Sequence, residues 1–227
     1  MQQPTPPQPT EPSPAAQPPY PPDPPYPATL SVDYPDKPLN RLTTFFRFLW
    51  IIPIAVLAGL LGTGTINVQG TDYSWQWAVG GVLFAPVLLM ILFRKKYPRW
   101  WYDWNLNLSR FVMRVAVYGQ LLRDEYPSTD EEQAVHLDFP YPDARQLNRW
   151  LPLVKWLLAI PHWIVLPFLY LAAFVCVVIA WFAILFTGRY PVALFDFVVS
   201  VNRWMLRVLA YAVLLVTDKY PPFRLQE

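Results

Sequence analysis

The stretch LPLVKWLLAIPHWIVLPFLYLAAFVCVVIAWFAILF, Leu151 to Phe186, decides how this chain is read. From Trp156 onward it carries no Asp, Glu, Lys or Arg, and its one group that titrates near neutrality is His162. A run of that length and composition reads as membrane-embedded. A second apolar block precedes it, since no Lys or Arg falls between Phe48 and Phe93. A straight helix over the later block would be roughly 50 Å long against a hydrocarbon core of about 30 Å. The block is therefore expected to fold back as a hairpin, with Pro161 and Pro167 offering the break. Its legs are short, so a re-entrant or shallow hairpin stays open beside two full spans.

Composition agrees with this reading. Of 227 residues, 54% are apolar, 17% aromatic and only 15% charged, which is little charge for a surface that faces water. The net charge of +2 is too small, and its placement too close to the apolar blocks, for a nucleic-acid footprint. The single cysteine, Cys176, excludes an intramolecular disulfide and a cysteine-built metal site. The first 38 residues hold no apolar run resembling a signal-peptide core, so the first hydrophobic segment is expected to act as an uncleaved insertion signal. Residues 1–27 are rich in proline without apolar periodicity and are expected to be a disordered cytoplasmic tail. The segment PPYPPDPPYP offers PxxP spacings with Tyr20 and Tyr26 to a protein partner; as a bland alternative it is a solvated spacer.

The chain also resembles itself. YPDKPLNR (Tyr34 to Arg41) returns as YPDARQLNR (Tyr141 to Arg149), after which Arg47 falls opposite Lys155, Leu49 opposite Leu157 and Pro53 opposite Pro161. In a second register LFRKKYP (Leu92 to Pro98) meets LFTGRYP (Leu185 to Pro191), and RDEYP (Arg123 to Pro127) answers TDKYP (Thr217 to Pro221). The change of register places an insertion of about fifteen residues within Gly62 to Trp77, a polar, Gly-containing stretch suited to a loop tip. Two tandem modules are expected, 28–127 and 128–227, each a helical hairpin followed by a helix. In the first the hairpin covers about 42–93, with legs Leu42 to Leu61 and Trp75 to Phe93, and the helix about 99–122. In the second the hairpin covers about 150–187 and the helix about 192–216. Basic residues flank both blocks while the inserted loop has none, so N- and C-termini are expected on the cytoplasmic side and the modules in parallel about a pseudo-two-fold axis.

Each module's last helix bears a polar stripe. Asp103, Asn107, Arg110, Arg114 and Tyr118 fall within an arc of about 80° at helical spacing, as do Asp196, Ser200, Arg203, Arg207 and Tyr211. With Trp100, Trp101, Trp104 and Trp204 at headgroup level, both helices are expected to lie along the cytoplasmic interface; the rival reading makes Val192 to Val216 a span. The stripes carry either Asp–Arg pairs one or two turns apart or, more sharply, an anionic lipid phosphate held where the two stripes meet. Ahead of the hairpins, ATLSVDYP (Ala28 to Pro35) and AVHLDFPYP (Ala134 to Pro142) alternate like short strands and are expected to pair, with PFRL (Pro222 to Leu225) as a candidate third member. His162 is read as a cap for backbone groups freed by Pro161, or as an intramembrane proton relay or ligand; His136 is assigned nothing.

These motifs, YPD, then LNRWLPLVKWLLAIPHWIVL, then WFAILFTGRYP, then NRWMLRVLAYAVLLVTDKYPPF, resemble the bacterial membrane family called domain of unknown function 4389. The resemblance is strong over Tyr141 to Phe223 and weaker over Tyr34 to Pro127, where IPH has become IPI and FTGRYP has become FRKKYP. It implies a bacterial plasma-membrane protein and brings no catalytic residues. No HExxH, GxSxG, P-loop or paired-carboxylate pattern is present. The sequence therefore leads to an all-α integral membrane protein with minor β segments, non-enzymatic and free of cofactors or bound metal. Its expected role is an accessory or scaffold subunit of a membrane complex, the alternative being a small transporter, channel or lipid-binding protein with a site between the modules.

Overall fold

The computed structural model describes residues 26–67, 74–78, 85–129 and 131–225. It is mostly helical. The proline-rich tail lies outside the described residues except at its end. Strand β1 (Thr29–Val32) leads into α1 (Arg41–Gly62), then β2 (Thr63–Asn67) and β3 (Ser74–Ala78). Helix α2 (Ala85–Arg94), whose last five residues wind as a π-helix, precedes α3 (Arg99–Gly119) and β4 (Val135–Asp138). The chain ends in α4 (Leu151–Leu158), α5 (Ile160–Thr187) and α6 (Val192–Ala212).

The fold-back expected over 150–187 is not there. Leu151 to Thr187 is one helical run, relieved only at Ala159, and it is the described helix long and apolar enough to cross a membrane. The reason lies in the sequence: Pro161 enters at the start of α5, where its missing N–H has no helical partner to lose, and no glycine follows until Gly188. Helical hydrogen bonding passes through the joint, from Ala159 N–H to Lys155 O at 2.9 Å and from Trp163 N–H to Ala159 O at 3.0 Å. Pro167 sits inside the helix without ending it.

Differences also arise around the inserted stretch. The first leg is found, since α1 spans Arg41–Gly62. The second leg, expected to be helical from Trp75, begins as β3, which pairs antiparallel with β2 from Thr63↔Ala78 to Asn67↔Ser74. A β-hairpin thus stands where a plain loop was expected.

The two alternating segments do pair. β1 and β4 form an antiparallel ladder that runs from Thr29↔Asp138 through Leu30↔Leu137 and Ser31↔His136 to Val32↔Val135. Pro222 to Leu225 adds no strand to it. Leu30 and Leu137 are buried in the main core, along with Val198 and Val201 of α6 and Ala180 and Ile184 of α5. Helix α6 is a core element, buried on much of its circumference, whereas α3 keeps more of its surface free.

Helices α2 and α5 each stop at a residue in the left-handed region, Lys95 (φ 47°) and Gly188 (φ 74°). Tyr-Pro then starts the next helix, with Pro98 before α3 and Pro191 before α6. These corners are fastened from the other half of the chain. Tyr34 donates its hydroxyl to Tyr190 O and Tyr141 to Tyr97 O, while Arg41 reaches Phe186 O and Arg149 reaches Leu92 O. At Gly188 a Cβ would meet Pro38 Cβ at an ordinary 3.5 Å, so the penalty there is conformational alone. Gly188→Ala should therefore lower unfolding stability by about 1–2 kcal/mol, measured by denaturant titration in detergent; an unchanged midpoint would contradict the assignment.

Candidate functional site

Two buried cations organise the molecule. Arg47, 2% exposed, rises from α1 to the C-terminal end of α3. Its Nη1 donates to Tyr118 O at 3.1 Å and Arg123 O at 2.6 Å, its Nη2 pairs with Asp124, and its guanidinium lies 4.5 Å from the Tyr118 ring centre. Lys155, 0% exposed, does the same from α4 to the end of α6. Its Nζ donates to Thr217 O at 2.7 Å, pairs with Asp218 at 2.6 Å and lies 5.1 Å from the Tyr211 ring. Arg47 thus meets a carbonyl of the last turn of α3, a carboxylate and a ring face together, and Lys155 a carboxylate, a ring face and a carbonyl of the segment that follows α6.

The acids have a second task. Asp124 accepts the backbone N–H of Asn40 at 2.7 Å, and Asp218 that of Asn148 at 2.7 Å. The asparagines in turn cap the following backbone, Asn40 Oδ1 accepting from Leu42 N–H and Asn148 Oδ1 from Trp150 N–H, both at 3.0 Å. The turn that delivers each acid uses a leucine with positive φ, Leu121 at 63° and Leu215 at 55°. That conformation costs about 1–2 kcal/mol, and both side chains are buried in the core, which offsets it. Burial raises the Tyr118 and Tyr211 phenols above their ordinary value; the Arg47 charge opposes this at Tyr118. Both rings stay neutral at physiological pH.

The stripe residues are dispersed among structural partners. Arg110 Nε donates to Leu137 O at 2.9 Å and Arg203 Nε to Leu30 O at 3.0 Å, so each arginine closes one outer edge of the β1–β4 ladder at the Leu30↔Leu137 pair. Arg114 donates to Ser128 O and Arg207 to Arg224 O. Tyr118 and Tyr211 belong to the two clamps. Asp103 and Asp196 are exposed and enter no ion pair among the described residues. Arg110 pairs off its helix with Asp138 at 3.3 Å, not with the Asp103 two turns away. Both stripes end on the same small sheet, yet no described contact joins one stripe to the other.

His162 is fully buried, and it does not cap the backbone beside Pro161. Trp204 Nε1–H donates to its Nδ1 at 3.0 Å, and Phe223 stacks on the ring at 4.0 Å with planes 12° apart. An aromatic box thus surrounds a neutral imidazole and satisfies its Nδ1. In the first half Ile54 packs on Phe111 and Val115 instead. His136 pairs with Asp33 at 3.2 Å on the surface. Among the described residues no group of three or more His, Cys, Asp or Glu side chains is placed to hold a metal ion.

Sequence reasoning missed the main cavity. A cleft of about 640 Å³ opens between α1 (Arg47, Ile51), the end of α3 (Gly119 to Leu121) and one face of α5 from Tyr170 to Phe182. Gly119 permits the close approach of α3 and α1, since a Cβ there would stand 2.5 Å from Ile51 Cδ1. The polar points of its wall are Arg47, Gln120 and Tyr170, and the rest is aliphatic and aromatic. Gln120 and Asn202 exchange amide hydrogen bonds, at 3.2 and 2.5 Å, joining α3 to α6 behind it. No short motif marks such a cleft, because its walls lie far apart in sequence. The clamps were visible in principle: Arg47 opposite Lys155 and Asp124 opposite Asp218 were like charges recurring in register.

Removing one partner of a buried ion pair strands the other, at about 3–5 kcal/mol for full burial. Asp218 is 27% exposed, so its loss should fall toward the lower end of that range. Asp218→Asn is expected to lower the melting temperature in detergent, and adding Lys155→Met should recover part of the loss. A double variant as unstable as the sum of the singles would contradict the clamp. Neither the curated proteins nor the solved structures yield a match to the chain. One family model does match, that of "Domain of unknown function (DUF4389)", and residues 150–224, which hold α4, α5, α6 and the Lys155–Asp218 clamp, are what it covers.

Proposed function

We propose that this protein is a multi-pass protein of a bacterial plasma membrane, built from two related modules, and that it binds a membrane lipid in the cleft between them. The cleft is the observation that carries the reading. It separates α1 and α3 of the first module from α5 of the second, and its volume sits inside the range of about 300–1,000 Å³ usual for small-molecule sites.

Membrane residence is supported by what α5 leaves uncovered. Only 17% of its most apolar window is buried within the protein, and Phe168, Leu171, Phe174 and Phe186 stand open on its surface. In water so large an apolar face is an aggregation hazard, whereas hydrocarbon solvates it without cost. The cleft opens on part of that face. Two modules are supported by the matched clamps, by the crossed Tyr34–Tyr190 and Tyr141–Tyr97 contacts, and by a ladder whose Leu30↔Leu137 pair lies between corresponding segments.

An accessory or scaffold role is a second reading, favoured by Tyr26. Its ring is buried and its hydroxyl donates to Lys219 O at 3.0 Å and Arg207 O at 3.3 Å, so Tyr26 is anchored on the second half of the chain. That arrangement suits a tail that recruits a protein partner.

Two measurements test these readings. Native mass spectrometry of the full chain released from mild detergent should show lipid adducts that Val178→Trp, a substitution on the open side of the cleft, reduces several-fold; undiminished adducts would contradict the site. In a Cys176→Ser background, Thr65→Cys should react with an impermeant maleimide from the extracytoplasmic face; reaction from the cytoplasmic face alone would overturn the topology.

A further inference from the structure

We infer that the cleft selects an uncharged lipid, an apolar chain ending in a hydroxyl, ester or other neutral carbonyl group, and not the anionic phosphate that the arginine stripes suggest. The inference rests on the lipid-binding reading above and narrows it to a ligand class.

Charge is the first argument. Arg47 supplies the cleft's one formal charge, and that charge is already matched by Asp124 and spread over the carbonyls of Tyr118 and Arg123. An anionic head brought to this wall would meet a guanidinium whose two Nη groups are already engaged and whose charge Asp124 already matches. In a poorly screened site the desolvation of the phosphate then opposes entry with no free counter-charge to offset it. The stripe arginines offer no substitute, because Arg110 and Arg203 hold the ladder edges and Arg114 and Arg207 hold chain segments beyond their helices.

Polar complementarity is the second. Gln120 uses one amide N–H and its carbonyl on Asn202, which leaves a second N–H at the cleft wall, and the Tyr170 hydroxyl lies in the same group, 3.5 Å from Asn202 Oδ1. The Gln120 N–H is a neutral donor suited to a hydroxyl or carbonyl oxygen, while the Tyr170 O–H is already given to Asn202 and leaves a hydroxyl oxygen able to accept. Away from them the wall is Phe174, Val177, Trp181 and Phe182, which asks for hydrocarbon. A ligand lacking any acceptor would leave the Gln120 donor unsatisfied, at a cost comparable to one lost hydrogen bond.

The full-length protein in nanodiscs should be photolysed with trace diacylglycerol or trace phosphatidylglycerol bearing the same diazirine chain, and adducts mapped by mass spectrometry. Diacylglycerol is expected to label residues 170–182 about tenfold more than phosphatidylglycerol does, because the phosphate would be desolvated without a free counter-charge. Val178→Trp should abolish that labelling, and Gln120→Met should weaken labelling by diacylglycerol while its preference over phosphatidylglycerol, which charge sets, persists. Equal or stronger labelling by phosphatidylglycerol in the unaltered protein would overturn the inference and leave lipid binding standing. No labelling of the cleft by either probe would overturn both.

Discussion

A cation inside a protein has to find its counter-charge, its hydrogen-bond acceptors and its desolvation relief in one place. Arg47 and Lys155 find all three at the C-terminal ends of α3 and α6, and the remaining geometry is tied to those two points. Each clamp fixes a long apolar helix against a core helix, and through Asp124 and Asp218 it also fixes the asparagine cap that starts the apolar helix. Removing a clamp frees a helix entry, a helix exit and a turn at once. The positive-φ leucines at 121 and 215 are held in place because the acid that follows must be delivered to the cation.

Once the helices are positioned, the two halves of the chain are fastened by crossed contacts. Arg41 and Arg149 each reach the end of the other half's apolar helix, and Arg110 and Arg203 close the two edges of a sheet to which each half gives one strand. An arginine on an exposed sheet edge also blocks further strand addition. The stripes that resemble lipid-binding surfaces in one dimension are thus largely spent in three. What stays open is the cleft beside α1 and α5, where the wall is apolar and its charge internally matched.

Much of this was legible in the sequence where the signal was local. The apolar block, the Tyr-Pro corners, the first leg at Arg41–Gly62 and the alternation that yields β1 and β4 all follow from composition or short-range periodicity. The length argument at Leu151–Phe186 misled, because it asked the block to match a bilayer and discounted what glycine-free sequence after an N-terminal proline does, which is to continue as helix. His162 misled through its neighbour Pro161, while its partner Trp204 lies on another helix. The β2–β3 hairpin was hidden by its glycines and polar residues, and the cleft by the distance in sequence between its walls.

The measurement that tests the account most directly is a cryo-electron microscopy map of the full chain in a lipid nanodisc. The account predicts that α1 and α5 lie within the bilayer density, with the β1–β4 sheet outside it and an elongated lipid density between Ile51 and Val178. A map in which α5 lies outside the bilayer, or in which α1 closes against α5 so that no cleft remains, would contradict it.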